Sequence, residues 1–269
     1  MPSKNRKPTA AQVEKLIKQG FGQGELDDYK PWFYVRDVPS EGESCYVTST
    51  VTGREHHYLS NLEYRAHLRI EYEPRTRDIR EQYALLPIER TRDVAERLGF
   101  RHPKYPGTPD GAPFVMSTDI LVTEMEPNSL SVTECAYSIK LEKDLTQRAL
   151  EKLLIEKVFW NSQGVRWHLL TEEHLKTPFV DNLLFFAAAL RIHDWKHCGV
   201  AVKPFNDAFE AHCRRGLSYS EALQCACEQF LLDSAIGHRL VGAAVFDYSS
   251  KLVLDRRTIA HRSVPTLTA

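Results

Sequence analysis

The sequence predicts an α/β protein: a mixed-sheet core over residues 1–172, then a small helical domain with a winged-helix character over 173–269. Three observations carry this. Helix-patterned and strand-patterned segments alternate between Ser60 and Leu170. Ser131 to Leu141 alternates with period two, placing Ala136, Ser138 and Lys140 on one face and Cys135, Tyr137, Ile139 and Leu141 on the other. Beyond Thr171 the strand signal gives way to helical spacing. At 269 residues the chain suits one large domain or two ordinary ones.

The elements follow in order. Ala10 to Gln19 has Val13, Leu16 and Ile17 at helical spacing, and Gly20, Gly22 and Gly24 end the helix. Trp32–Val38 and Tyr46–Val51 read as short strands about the turn residues Pro39 to Gly42. Ser60 is an N-cap with Glu63 three residues on, a capping box for a helix reaching about Tyr72. Ile79–Leu86 is strand-like, and Thr91–Leu98 is a short helix closed by Gly99. The prolines and glycines between His102 and Pro113 exclude helix or central strand there. Phe114–Thr123 is apolar and β-branched, and Pro127-Asn128-Ser129 turns it into the alternating strand, so the two pair as a hairpin. Leu145–Trp160 is an amphipathic helix with Leu145, Ala149, Leu150, Leu153, Leu154 and Val158 on its apolar face. Val165–Leu170 is a further strand.

In the second region Asp181–Arg191, Phe205–Arg214 and Tyr219–Ser234 are helical, the last opened by a capping box of Ser218 and Glu221. After Gly237 the apolar runs Leu240–Phe246 and Leu252–Leu254, separated by Asp247 to Ser250, suggest a β-wing. Such a domain binds DNA or a protein partner.

Composition excludes some classes. A hydrophobic share of 42% with 26% charged residues is that of a globular protein, and no apolar run approaches the roughly 20 residues that span a bilayer. Met1 to Thr9 lacks the apolar stretch of a signal peptide, which points to a cytoplasmic protein. The net charge of −1 neither supports nor excludes nucleic acid. Between Arg65 and Lys104 ten Lys/Arg face seven Asp/Glu, a local basic bias equally consistent with a solvated surface. Six cysteines form no CxxC pair and read as reduced and structural. His193, His197 and Cys198 lack the glutamate of an HExxH site and a second ligand pair, so zinc is disfavoured.

The chemistry rests on Glu63, Asp119 and Lys140. Two carboxylates can hold a hard cation such as Mg²⁺ through oxygen, with waters and a substrate phosphate completing its shell. The cation polarises a phosphate and activates water, while an ammonium orients that water or offsets developing charge. That order of residues is what a magnesium-dependent phosphodiesterase of the restriction-endonuclease type requires. Plainer readings stand beside it. Glu63 as a capping-box residue would only satisfy a backbone donor. Asp119, charged within an apolar strand, requires a salt bridge, a bend or a metal. Lys140 at a strand end is usually just solvated, so its functional reading needs Asp119 beside it. Glu156 reaches toward the same place, but an exposed helical glutamate usually has no chemical role.

Five ordered stretches resemble the TnsA family, endonuclease subunits of heteromeric cut-and-paste transposases of the Tn-seven type. They are Gly22-Gln23-Gly24 with Asp28-Tyr29-Lys30-Pro31-Trp32; Gly53-Arg54-Glu55-His56-His57 leading into Leu59-Ser60-Asn61-Leu62-Glu63; Asp78-Ile79-Arg80-Glu81-Gln82 with Leu85-Leu86-Pro87; Val115-Met116-Ser117-Thr118-Asp119; and Leu150-Glu151-Lys152-Leu153 before Trp160. They cover about residues 20 to 170, whereas the C-terminal hundred resemble the family only in size and helical character.

The resemblance implies a restriction-endonuclease-like core and a DNA endonuclease that cuts the 5′ strands at transposon ends. It works with a separate transposase of the TnsB type and an AAA+ ATPase of the TnsC type, at the bacterial nucleoid. It makes Glu63 and Asp119 cation ligands, Lys140 the catalytic lysine, and the backbone carbonyl of Ile139 a further ligand for Mg²⁺, with Mn²⁺ as a substitute. Ser138 and Glu156 are accessory candidates. Where the family usually has Gln two residues before the lysine this chain has Ser138, which reaches less far, and Leu141 stands where Pro is common. Ser138 supports an alternative, a catalytically weakened module that recruits transposition partners. A free-standing restriction or repair nuclease is disfavoured by the lack of a separate target-recognition region.

Overall fold

The computed structural model describes residues 9–37, 44–105, 112, 114–127, 129, 131–187 and 196–268. Two compact units divide at Leu175 and Lys176. The turn expected at 39–42, part of the proline-rich loop, the end of the helix expected at 181–191 and His193 lie outside the described residues.

The first unit opens with α1 (Ala10–Lys18), whose Thr9 cap and Gln12 form a reciprocal capping box. Gly22 takes φ +69°, and a Cβ there would overlap that of Ala84, so the glycine lets this loop lie directly on the sheet. The strand expected at Trp32–Val38 is not formed: Val35–Asp37 is a single 3-10 turn, and the Trp32 N–H donates to the carbonyl of Gln82. A β1 (Cys45–Thr48) and β2 (Glu55–Tyr58) hairpin leads into α2 (Asn61–Glu71). Next come β3 (Thr76–Ala84), α3 (Ile88–Arg97), β4 (Ser117–Met125), β5 (Val132–Ile139), α4 (Gln147–Asn161), β6 (Arg166–Leu170) and a short α5 (Glu172–Leu175).

The main sheet has the order β3-β4-β5-β6, antiparallel except for the parallel β5–β6 pair. The expected hairpin and mixed sheet are both present. Parallel pairing arises because α4 carries the chain back across the sheet between β5 and β6. Leu121 and Ala136 share an apolar cluster with Ile155, Phe159 and Trp160 of α4. Cys135 and Ile139, which alternate with Ala136, are buried as well, so β5 is covered on both faces; α2 packs on β3 and β5. Fully burying each large apolar side chain here contributes about 1.5–3 kcal/mol. The face of α4 toward this core differs from the one its spacing suggested. Leu150 and Leu154 are exposed, whereas Ile155, Glu156, Phe159 and Trp160 are buried.

The β3–β4 ladder is interrupted where the site forms. Glu81 pairs with Ile120 and Tyr83 with Thr118, and between them Gln82 and Asp119 make no registered pair. Gln82 sits at φ +49°, a left-handed conformation costing a non-glycine residue about 1–3 kcal/mol.

The second unit is helical: α6 (Pro178–Phe186), α7 (Val202–Arg214), α8 (Tyr219–Phe230) and α9 (Ser234–Phe246). Its core holds Phe186, Phe205, Phe209, Tyr219 and Leu240, all fully buried. Ser218 and Glu221 form the expected capping box. The expected β-wing is not there. Leu240–Phe246 belongs to α9, and near Leu252 the pairing is a single bridge to Leu267. Gly237, just before the first of these runs, lies inside α9, packed where a Cβ would run into Cys227 and Phe205. No helix among the described residues is long and apolar enough to cross a membrane.

Candidate active site

Three elements bring the site together: the N-terminus of α2, the first residues of β4, and the end of β5. Glu63 opens α2, and Ser60 Oγ caps the helix by accepting from the Glu63 N–H at 3.2 Å. The carboxylate is 7% exposed and held by three donors. Oε1 accepts from the Ser60 hydroxyl at 3.0 Å; Oε2 accepts from the Leu59 N–H at 3.0 Å and from Gln82 Nε2 at 3.3 Å. The capping role is therefore present, displaced by one residue to Leu59, and it does not remove Glu63 from the site.

Asp119 leaves β4 at the gap in the ladder. Its Oδ2 accepts from the Ile139 N–H at 2.6 Å and from Lys140 Nζ at 2.8 Å. Pairing of β4 with β5 places these residues side by side, as the hairpin reading requires. It is the amide of Ile139 that meets Asp119. Both donors converge on Oδ2, so Oδ1 is not engaged by them. The salt-bridge reading of Asp119 and the catalytic one describe the same contact.

Glu156 corrects the sequence reading. Far from being exposed, it is 5% exposed, and its Oε1 accepts from Ser138 Oγ at 2.6 Å and Thr118 Oγ1 at 2.7 Å. Trp160 Nε1 donates to Thr118 Oγ1, and Trp167 Nε1 to Ser138 Oγ. Ser138 is thus turned toward α4, and with Thr118 it ties the third carboxyl to β5 and to β4, which carries Asp119.

The electrostatics follow from burial and like charge. Burial first, then the Asp119 charge, raises the Glu63 carboxyl to about 7. The same two causes, in the same order, raise Glu156 to about 7. Burial pulls Lys140 down, but the charge and hydrogen bond of Asp119 outweigh it, with Glu156 and Glu63 adding, and its pKa ends raised. Three carboxyls thus face one ammonium. This excess of hard, negatively charged oxygen fits Mg²⁺ or Mn²⁺. Among the described residues no group of three or more His, Cys, Asp or Glu is arranged to hold a metal by itself. A cation held by Glu63 and Asp119 would complete its shell with main-chain oxygen, water and phosphate, the usual habit of Mg²⁺.

A second polar cluster, not foreseen from the sequence, supports α2 and β3. Arg54 clamps the buried Glu81 with both Nη atoms, at 2.9 and 2.8 Å, and His56 Nδ1 lies 2.9 Å from Glu81 Oε2. Tyr58 joins His67 at 2.7 Å, and His67 faces Glu71 at 3.2 Å. Burial would raise Glu81, but the hydrogen bonds and charges of His56 and Arg54 hold it at about 2. The signal for this cluster, and for Gln82, was the set of polar residues Asp78, Arg80, Glu81 and Gln82 inside a strand that is buried almost throughout.

Comparison with known proteins relates the chain to one family. Residues 73–172, which include Gln82, Asp119, Lys140 and Glu156, match the family model described as TnsA-like endonuclease N terminal. The chain is 36% identical over 184 residues to the transposon Tn7 transposition protein TnsA of Escherichia coli, an alignment covering 68% of this chain and 64% of that protein's length. The chain is TnsA-like over its mixed-sheet unit, which matches an endonuclease domain of restriction-endonuclease-like fold, and it spans less than two thirds of that relative's length.

Proposed function

We propose that this chain is the Mg²⁺-dependent DNA endonuclease subunit of a cut-and-paste transposase, cleaving the 5′ strands at transposon ends. It acts beside a TnsB-like transposase and a TnsC-like AAA+ ATPase, on DNA in the bacterial cytoplasm. The observation that carries this reading is Lys140 donating to Asp119 at 2.8 Å, while Glu63 is raised by burial and then by the charge of that same aspartate.

Glu63 and Asp119 would hold the divalent cation, with the Ile139 carbonyl as a further candidate ligand. When bound, such an ion polarises the scissile phosphate and lowers the pKa of an attacking water. Lys140, ionised and anchored on Asp119, presents an ammonium that positions that water and offsets charge developing on the phosphoryl oxygens. The Ser60, Leu59 and Gln82 donors stabilise the charged form of Glu63 against its burial. Ser138 and Thr118 fix the Glu156 carboxyl by donating to its Oε1.

One observation favours the weakened-module reading: the Ser138 hydroxyl is engaged by Glu156. Reconstituted complexes on DNA bearing transposon ends separate the two. Divalent-dependent 5′-strand nicking supports the nuclease. Complex assembly without nicking at any Mg²⁺ or Mn²⁺ concentration supports the module.

A further inference from the structure

We propose that Gln82 is a positioning residue of the cation site, orienting Glu63 through its carboxamide; the proposal rests on Glu63 and Asp119 being cation ligands. Four observations converge on it. Gln82 Nε2 donates to Glu63 Oε2 at 3.3 Å, across nineteen residues of sequence. The side chain is buried, with the residue 2% exposed, where an apolar residue would pack with no polar group to satisfy. Its backbone takes φ +49°, a conformation normally given to Gly or Asn. It also stands at the level of Asp119 in the β3–β4 ladder, at the break between the Glu81–Ile120 and Tyr83–Thr118 pairs.

The physical link runs from backbone to ligand. Because the Gln82 carbonyl accepts from the Trp32 N–H at 3.1 Å, the strand is held in its left-handed bend by the loop that crosses it. The bend lets a mid-strand side chain reach α2. The amide does not titrate, so it donates to Glu63 at every pH and favours the ionised, cation-binding form. Without it, Oε2 keeps only the Leu59 N–H, and the carboxylate gains freedom to turn about its last torsion. An element that fixes a ligand from behind typically changes cation affinity more than the chemistry of the bound state.

The test compares the full chain with Gln82→Asn, Gln82→Met and Asp119→Ala. Asn suits the left-handed backbone but is one methylene too short to reach Glu63; Met keeps the length without the donor. Mn²⁺ binding is read by electron paramagnetic resonance, and cleavage by the reconstituted complex is titrated with Mg²⁺. We expect both Gln82 variants to bind Mn²⁺ about 10- to 100-fold more weakly. Half-maximal cleavage should move to higher Mg²⁺ by the same factor, and saturating Mg²⁺ should restore the rate. Unchanged Mn²⁺ affinity in either variant would overturn the proposal. So would loss of the fold in both, or a cleavage defect that no Mg²⁺ concentration restores, since each makes Gln82 merely structural. Equal Mn²⁺ binding by the wild type and Asp119→Ala is a different failure, that of the cation site itself.

Discussion

Lys140 and Asp119 meet across 2.8 Å on adjacent antiparallel strands, and the Ile139 amide shares the same aspartate oxygen at 2.6 Å. Asp119 therefore fixes the lysine as well as acting through space on Glu63. Removing the ammonium while keeping its length should leave the cation site formed but take away the charge that meets the phosphate. Lys140→Met is expected to lower the cleavage rate by about 10²–10³-fold, with Mn²⁺ affinity kept within a few-fold. Single-turnover cleavage at saturating Mg²⁺ checks this.

The raised carboxyls make a pH prediction for the cation-free chain. Glu63 and Glu156 titrate near 7 in the folded state against an ordinary value of 4.5. A carboxyl raised on folding keeps its proton where the unfolded chain has lost it. Its stabilising contribution is full below about pH 4.5 and is lost as pH rises through 7, amounting to about 3 kcal/mol for each group. Glu71 and Glu81, both lowered to about 2, act in the opposite sense: their contribution is present above pH 4.5 and is lost as pH falls toward 2. Burial lowers His56, His57, His102 and His238, whose contributions rise with pH over the same range. The carboxyls are therefore read against a Glu63→Gln, Glu156→Gln double variant. In chelator the wild type should lose melting temperature relative to that variant between pH 5 and 7.5, and Mg²⁺ should flatten the loss. A difference independent of pH would contradict the arrangement.

Much of this site was legible because two strong local signals crossed. The period-two alternation of Ser131–Leu141 and the apolar run before it fixed the hairpin, and the hairpin put Lys140 beside Asp119. Glu63 was marked by the order of the carboxylates and by the family resemblance, whereas its spacing from Ser60 argued only for a cap. Glu156 was misplaced because α4 buries a face chosen by the sheet rather than by its own leucines, leaving Leu150 and Leu154 outside. Gln82 was invisible to periodicity, since a strand pattern carries no trace of a left-handed residue within it. The wing was misread because the apolar run Leu240–Phe246 continues α9 through Gly237, a packing glycine inside the helix.

The buried Arg54–Glu81 pair ties the turn before β2 to β3, and the arginine side chain is only 10% exposed. Arg54→Met leaves Glu81 with His56 and a weak contact from the His57 N–H. We expect a loss of about 3–5 kcal/mol, because one charge of a buried pair is left uncompensated. Chemical denaturation of the full chain measures it, and a loss under 1 kcal/mol would show that the pair is not buried in solution.

Gly22 gives a packing test independent of charge. Gly22→Ala adds a methyl against Ala84 at a backbone angle of φ +69° and should destabilise by more than about 1 kcal/mol. Combining it with Ala84→Gly should recover the overlap part only, so the double variant falls between the single variant and wild type. Simple additivity of the two losses would mean that the loop does not rest on β3.

The central claim is that Glu63 and Asp119 share one divalent cation at a DNA phosphate, with Lys140 beside them. The direct measurement is 5′-strand cleavage at transposon ends by the reconstituted complex, comparing wild type with Asp119→Ala over a Mg²⁺ titration. The account predicts Mg²⁺-dependent nicking by wild type, and none by a variant that still folds and assembles. Nicking by Asp119→Ala at the wild-type rate would contradict it.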